Sequence, residues 1–126
     1  MKDKKTRPNI IEAFNAAIQG IIYTFKYERN MKIHFTMMML VIIAGIFFNI
    51  AMWEWITCFI LFGLVISLEM INTALEIVVD MVSPEYNMTA GRAKDIAAGA
   101  VLVNAIVAFI VGLLIFLPKV LDLFIK

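Results

Sequence analysis

A row of polar residues interrupts an otherwise apolar stretch of the sequence between residues 65 and 83. Glu69, Asn72, Glu76 and Asp80 follow one another at offsets of three, four and four residues. Because an α-helix turns about 100° per residue, this spacing keeps all four side chains on one narrow face. Glu69 and Glu76 would then lie roughly 10 Å apart along the helix axis. Carboxylates in such a row can accept a proton, hold Mg²⁺ or join helices as polar packing contacts.

The composition of the chain places these carboxylates in a membrane protein. The sequence has 126 residues, of which 63% are apolar and 17% are charged. A soluble domain of this size could not bury so much apolar surface. Residues 33–51, 53–82 and 95–118 each approach or exceed the roughly 20 residues that a helix needs to cross a bilayer. The sequence therefore predicts an all-α integral membrane protein with three spans, forming one domain over residues 1–126.

An amphipathic stretch precedes the first span. Between residues 8 and 29, apolar residues recur at helical spacing and polar residues occupy the opposite side. This pattern predicts a helix that lies in the membrane interface, with Pro8 in its first turn. A plain membrane anchor would explain the helix. Glu28 and Asn30, which stand next to the first span, indicate a role in a polar site as the alternative.

Positive charges are distributed unevenly along the chain. Seven basic residues precede residue 33, and the second connection between spans contains Arg92 and Lys94. The first connection contains Glu54 and no Lys or Arg. By the positive-inside rule, the N-terminus and the second connection are expected to face the cytoplasm.

The depth of each acidic residue in the membrane follows from this orientation. Trp53 and Trp55 are interpreted as an outer interfacial belt, which places Glu69 just inside the cytoplasmic boundary and Glu76 and Asp80 beyond it. An ionisable group at membrane depth costs at least ~2.5 kcal/mol on insertion scales, which favours a functional role for Glu69. A polar packing contact between helices is the alternative for Glu69, and a solvated helix end is the alternative for Asp80.

The second connection, residues 83–100, combines basic residues with a helix start. Gly91, Arg92 and Lys94 stand near the beginning of the third span. Free backbone N–H groups and the positive end of the helix dipole favour a phosphate there. Together with carboxylates able to hold Mg²⁺, these features indicate a nucleotide or phosphate site at the inner membrane surface. An ordinary basic anchor with a helix cap is the alternative.

Other kinds of site are excluded by motifs that the sequence lacks. It contains no Walker A motif, no GxGxxG loop and no HRD or DFG triplet, so no soluble kinase fold is indicated. Cys58 is the single cysteine, which excludes a disulfide framework and a paired-cysteine zinc site.

The segment from Leu68 to Val103 is similar to the signature region of the prokaryotic diacylglycerol kinase family. It reads LEMINTALEIVVDMVSPEYNMTAGRAKDIAAGAVLV and contains, without gaps, the pattern E-x-x-N-[ST]-A-x-E-x-x-x-D followed by S-P-E-Y and G-R-A-K-D. The resemblance implies a small homotrimeric kinase of the bacterial inner membrane with sites shared between protomers. Such a kinase transfers the γ-phosphoryl group of ATP, bound with Mg²⁺, to a lipid hydroxyl.

The resemblance also implies roles for individual residues. Glu69 resembles the general base that acts on the lipid hydroxyl, and Asn72 resembles the amide that shapes the site around it. Glu28 and Glu76 resemble the family's Mg²⁺ ligands and also belong to the nucleotide side of the site. Six further residues are implied on the nucleotide side: Asp80, Glu85, Tyr86, Gly91, Lys94 and Asp95.

The expected lipid substrate follows from finer features of the resemblance. The runs KYERNMKIHF and SPEYN resemble the Gram-positive branch of the family, whose members phosphorylate undecaprenol. Ala97 and Ala98 stand where the Gram-negative diacylglycerol kinases tend to have a Gly-Ser pair, so Ala98 lacks a hydroxyl near the expected lipid headgroup. Undecaprenol is therefore the expected substrate, and diacylglycerol is the alternative. A non-enzymatic membrane assembly or partner-binding protein is the alternative of another class.

Overall fold

The structure, a computed structural model, describes residues 8–126 as four α-helices joined by short connections. Helix α1 comprises Ile10–Tyr27, α2 Arg29–Phe47, α3 Met52–Val82 and α4 Met88–Ile125. Helices α2, α3 and α4 are each long and apolar enough to cross a membrane. The predicted all-α membrane protein with three spans is therefore confirmed.

Helix α1 begins with a capping box rather than with proline. The Asn9 side chain accepts a hydrogen bond from the backbone N–H of Glu12 at 2.8 Å, and the Glu12 carboxylate accepts one from the N–H of Asn9 at 3.0 Å. Pro8 therefore precedes the cap, and its predicted position in the first turn is wrong. Large apolar side chains remain exposed along the helix, as expected for a helix at a lipid surface, among them Ile10, Ile11, Phe14 and Ile18.

One residue, Glu28, separates α1 from α2. Its backbone is extended, with φ −96° and ψ 118°, so the helical path is broken between Tyr27 and Arg29. Phe25 and Phe35 pack edge to face across this break, with ring centroids 5.4 Å apart. The break therefore fixes the Glu28 side chain at the corner where the interfacial helix meets the first span.

The first two spans differ from their predicted bounds to different extents. Helix α2 covers Arg29–Phe47, whereas residues 33–51 were predicted. It ends earlier than predicted because Asn49 adopts a left-handed conformation with φ 49° just after the helix. Asn tolerates this conformation better than most residues, and it stops an apolar run that reads as helical in the sequence. Helix α3 covers Met52–Val82, close to the predicted 53–82.

The third span is longer than predicted at both ends. Helix α4 begins at Met88, not at residue 95, because the Asn87 side chain caps it. It ends at Ile125, not at residue 118, and Pro118 lies inside it. Proline removes one backbone donor without ending the helix here.

A small apolar cluster closes one end of the helical hairpin formed by α3 and α4. Ile50, Cys58 and Ile115 are buried at its centre, and surrounding side chains from α2, α3 and α4 pack against them. The Cys58 thiol is free and buried. This cluster joins the three spans at the end away from the Glu69 region.

An ion pair between α3 and α4 lies at the same end. Lys119 Nζ lies 2.6 Å from Glu54 Oε1, and the Glu54 side chain is only 8% exposed. The second carboxylate oxygen of Glu54 accepts a hydrogen bond from the backbone N–H of Ala51 at 2.8 Å. Both oxygens of this buried acid are thus satisfied, as a buried charge requires.

Gly45 allows α2 and α3 to approach closely beside this cluster. A Cβ atom at position 45 would lie 2.6 Å from Cη2 and 2.8 Å from Cζ2 of Trp55, and 3.1 Å from Cδ1 of Ile50. Trp55 therefore packs against the other helix, whereas Trp53 is 64% exposed, as an interfacial tryptophan would be.

Replacing Gly45 tests this contact. We expect Gly45→Ala to destabilise the protein, because overpacking costs about 1–3 kcal/mol, more than the gain of up to about 1 kcal/mol from removing glycine inside a helix. Thermal unfolding in detergent measures the change, with Gly20→Ala as the control because no described residue comes within 4 Å of its Cβ position. Equal stability of the two variants would contradict the close approach.

Candidate active site

Glu69 is buried and incompletely satisfied. Its side chain is 1% exposed, and among the described residues its Oε2 atom has no hydrogen-bond partner. The imidazole Nε2 of His34 lies 3.7 Å away, which is longer than a hydrogen bond. Burying a carboxylate oxygen without a hydrogen-bond partner costs free energy, so the presence of such an oxygen here favours contact with a ligand.

The rest of the polar row follows the exposed end of α3. Asn72 is buried, Glu76 is half-buried and Asp80 is exposed, so exposure increases along the row. The Asn72 amide nitrogen donates a hydrogen bond to Glu76 Oε1 at 3.1 Å, whereas its Oδ1 atom is buried and lacks a partner in the described chain. Asn72 is thus bonded to the half-buried acid and lines the same cavity as the buried one.

Three helices enclose a cavity of about 230 Å³ around Glu69. The start of α2, the middle of α3 and the third to fifth turns of α4 contribute to its wall. Ala98, which was predicted to lie near the lipid headgroup, lines the same cavity as Glu69 and Asn72. The complete lining is Asn30, Ile33, His34, Glu69, Asn72, Ala98, Val101, Leu102 and Ala105.

The predicted metal ligands approach Glu69 from two directions. Glu28 lies at the break before α2, Glu76 lies on α3 bonded to Asn72, and Asn30 lines the cavity together with Glu69. Within residues 8–126, no group of three or more His, Cys, Asp or Glu side chains could hold a metal ion. Mg²⁺ is often held by one or two carboxylates together with substrate phosphates. A magnesium ion that arrives with a nucleotide would therefore need no more than the two carboxylates of Glu28 and Glu76.

Lys94 and Asp80 form an ion pair on the outer side of this region. Lys94 Nζ lies 2.5 Å from Asp80 Oδ1, and their side chains are respectively one-third and almost two-thirds exposed. An exposed pair of this kind contributes only about 0–1 kcal/mol. Lys94 can therefore exchange this partner for a phosphate at little cost.

The start of α4 differs from the expected phosphate-binding helix end. Asn87 Oδ1 accepts hydrogen bonds from the backbone N–H groups of Thr89 and Ala90 at 2.9 and 3.1 Å. The N–H of Gly91 bonds the carbonyl oxygen of Asn87 at 2.9 Å. The expectation that these backbone donors are free is therefore wrong, because the helix begins earlier than predicted and its own cap occupies them.

None of the eight residues predicted on the nucleotide side lines the cavity, and Tyr86 is 93% exposed. The carbonyl oxygen of Glu85 accepts a hydrogen bond from Ser83 Oγ at 3.1 Å, which helps to shape the short connection. Their role toward a nucleotide stays a prediction.

His34 was not among the residues predicted from the sequence. Its signal was present, because it is the single histidine of the chain and lies one helical turn after Asn30 at the start of the first span. Its closeness to Glu69 depends on how α2 packs against α3, and spacing along one helix does not reveal this.

Comparison with known proteins identifies the family. Residues 15–116 match the sequence model described as prokaryotic diacylglycerol kinase. The chain belongs to the prokaryotic diacylglycerol kinase family. Membership confirms the predicted class of protein, a membrane-embedded lipid kinase, and removes support from the non-enzymatic alternative.

Individual members of the family resemble the chain over different lengths. The undecaprenol kinase of Bacillus subtilis is 41% identical over 119 residues, which cover 94% of this chain and 97% of that protein. A diacylglycerol kinase of Synechocystis is also 41% identical, over 117 residues that cover 92% of this chain and 67% of that protein. The diacylglycerol kinase of Escherichia coli is 49% identical, but over 47 residues, or 37% of this chain and 38% of that protein.

Proposed function

We propose that this family member is an undecaprenol kinase that uses MgATP at the cytoplasmic face of a bacterial inner membrane. The observation that carries the chemistry is the buried Glu69 carboxylate. Its Oε2 atom lacks a partner in the part of the chain that the structure describes, and Glu69 borders a cavity between the spans. The choice of undecaprenol is supported by similarity to the Bacillus subtilis enzyme over almost the full length of both chains.

In the proposed reaction, Glu69 acts as general base. Its Oε2 atom accepts the hydroxyl proton of the lipid while the hydroxyl oxygen forms a bond to the γ-phosphorus of ATP. The bond between the γ-phosphorus and the β,γ-bridging oxygen breaks, and that oxygen leaves with ADP. The products are undecaprenyl phosphate, ADP and a proton that Glu69 returns to solvent.

The remaining polar residues are proposed to arrange the phosphates. Glu28 and Glu76 would hold the Mg²⁺ of MgATP, which neutralises charge on the transferring group. Asn72 holds Glu76 through its 3.1 Å hydrogen bond. The proposed base, Glu69, and the proposed metal ligand, Glu76, both lie on α3. Lys94 would exchange Asp80 for a phosphate oxygen, and the nucleotide would also contact Asp80, Glu85, Tyr86, Gly91 and Asp95.

Ala98 supports a polyprenol over diacylglycerol as acceptor. It presents a methyl group to the cavity that contains Glu69. A polyprenol offers only its terminal hydroxyl, whereas the ester carbonyls of diacylglycerol would benefit from a donor at this position. Diacylglycerol is the alternative acceptor, because the similarity to the Synechocystis enzyme also extends over most of this chain.

Assembly and orientation complete the proposal. We propose a homotrimer with sites shared between protomers, with the N-terminus and the second connection in the cytoplasm. Nothing within residues 8–126 lies within 4 Å of a Cβ atom placed on Gly99, so the helix of a neighbouring protomer could approach α4 closely there. The basic residues before the first span support the orientation.

A side-by-side assay tests the substrate. With purified protein in one detergent, we expect kcat/KM for undecaprenol to exceed that for diacylglycerol by about 10-fold or more, the discrimination typical of a few lost or gained contacts. An equal kcat/KM for the two lipids would contradict the choice of undecaprenol. A higher kcat/KM for diacylglycerol would make diacylglycerol the acceptor. Absence of phosphoryl transfer to either lipid would contradict the proposed function itself.

Glu69→Gln separates the general base from a packing contact. Glutamine keeps the shape and hydrogen-bonding capacity of the side chain but cannot accept the proton, so we expect kcat to fall by about 10²–10⁴. ATP binding and thermal stability should persist, since Glu76 lies roughly 10 Å further along the helix. Asp122→Asn, the same change at an exposed acid on the far end of α4, is the control. Near-normal turnover of Glu69→Gln would leave Glu69 with a structural role.

Removing the proposed metal ligands should change the magnesium requirement. We expect Glu28→Gln and Glu76→Gln each to raise the Mg²⁺ concentration needed for half-maximal activity, because each removes one carboxylate from the ion. Phosphoryl transfer measured across a Mg²⁺ titration, with Asp122→Asn alongside, provides the test. Wild-type magnesium dependence in both variants would show the metal assignment to be wrong and would return α1 to the role of an anchor.

A further inference from the structure

His34 lies where the cavity beside Glu69 meets an apolar groove. This neighbouring groove, of about 460 Å³, runs between α2, α3 and α4. The two spaces share Ile33, His34 and Ala105 in their walls. The rest of the groove wall is apolar, so its shape and chemistry suit a hydrocarbon chain. An alcohol at the end of such a chain would present its hydroxyl group at His34.

The distance between His34 and Glu69 has a specific consequence. Nε2 and Oε2 lie 3.7 Å apart, too far to bond each other. A third atom can nevertheless lie about 2.8 Å from both, which is an ordinary hydrogen-bond length. A hydroxyl oxygen carries one hydrogen and two lone pairs, so it can donate to Oε2 and accept from an Nε2–H at the same time. Such a hydroxyl would satisfy the unpartnered oxygen of Glu69.

The other polar side chains around the cavity are less suited to this task. The Asn72 amide nitrogen is already bonded to Glu76. The Asn30 side chain lies beside Glu69 but does not border the apolar groove. His34 borders both spaces, with a side chain that is largely but not fully buried.

We propose that His34 binds the acceptor alcohol directly, donating a hydrogen bond from Nε2 to the hydroxyl oxygen that Glu69 deprotonates. This inference rests on the proposed function and adds a residue to its acceptor site. The histidine bond forms in the bound alcohol and persists during transfer, so it contributes equally to the ground state and the transition state. Its loss therefore raises KM for the alcohol and leaves kcat nearly unchanged.

Two substitutions at this position test the proposal. His34→Leu replaces the imidazole with an apolar side chain of similar size and so removes the donor. His34→Gln keeps a donor nitrogen near the position of Nε2. Thr36→Val is the matched control, because Thr36 is an exposed residue of the same helix whose hydroxyl bonds only the backbone carbonyl of Lys32. Initial rates are measured over a range of undecaprenol and of MgATP for all three variants.

We expect His34→Leu to raise KM for undecaprenol on the order of 10-fold, with kcat and KM for MgATP within about threefold of wild type. His34→Gln should recover most of the loss, and Thr36→Val should behave like wild type. A fall in kcat at constant KM for undecaprenol would show that His34 acts only through Glu69, and it would overturn the proposal. Unchanged kinetics in His34→Leu would also overturn it.

A binding measurement without ATP makes the outcome independent of turnover. Farnesol and farnesene have similar apolar chains, but only farnesol carries the hydroxyl. We expect farnesol to raise the thermal unfolding temperature of wild type and His34→Gln more than farnesene does, and to lose this advantage in His34→Leu. An equal advantage in all three would contradict the inference. Wild-type protein that binds farnesol through His34 but transfers no phosphate to any lipid alcohol would contradict the proposed function alone.

Discussion

The cost of burying a carboxyl group among membrane-spanning helices constrains the structure around Glu69. An ionisable group at this depth requires polar neighbours or a ligand, because lipid supplies neither. The neighbours come from different elements: Asn30 and His34 from the start of α2 and Asn72 from α3. Small residues of α4, including Ala98, leave space beside the acid and allow a cavity to form. The parts of α2 and α4 nearest to Glu69 therefore form the wall of the cavity beside it.

The two buried acids of α3, Glu54 and Glu69, have different surroundings, which favour a structural role for the first and a functional role for the second. Glu54 has Lys119 at 2.6 Å on one oxygen and a backbone N–H on the other, so a ligand has no place there. Among the described residues, Glu69 has no cation within hydrogen-bonding distance, and one of its oxygens is unpartnered. The two acids lie about four turns apart on the same helix. One acid fixes α3 to α4, and the other remains available for chemistry.

The sequence predicted the elements of this fold better than their ends or their contacts. Length and apolar composition determine three spans, and helical periodicity determines that the polar row occupies one face. Helix ends depend on single residues whose effect is local: the left-handed Asn49 shortens α2, and the Asn87 cap starts α4 early. His34 was missed for a different reason, since its proximity to Glu69 arises from packing between two helices. Periodicity within one helix contains no information about the neighbour that a side chain meets.

The break at Glu28 explains how an interfacial helix can take part in a site between spans. A continuous helix through residues 10–47 would carry this carboxylate along a straight axis, whereas one extended residue redirects the chain at the level where the first span begins. Glu28 stands at that corner, two residues before Asn30, which lines the cavity with Glu69. The packing of Phe25 on Phe35 holds the corner from the apolar side. Anchoring in the membrane interface and the proposed delivery of a carboxylate to the site would thus both follow from the same bend, so a change that straightened it is expected to remove both together.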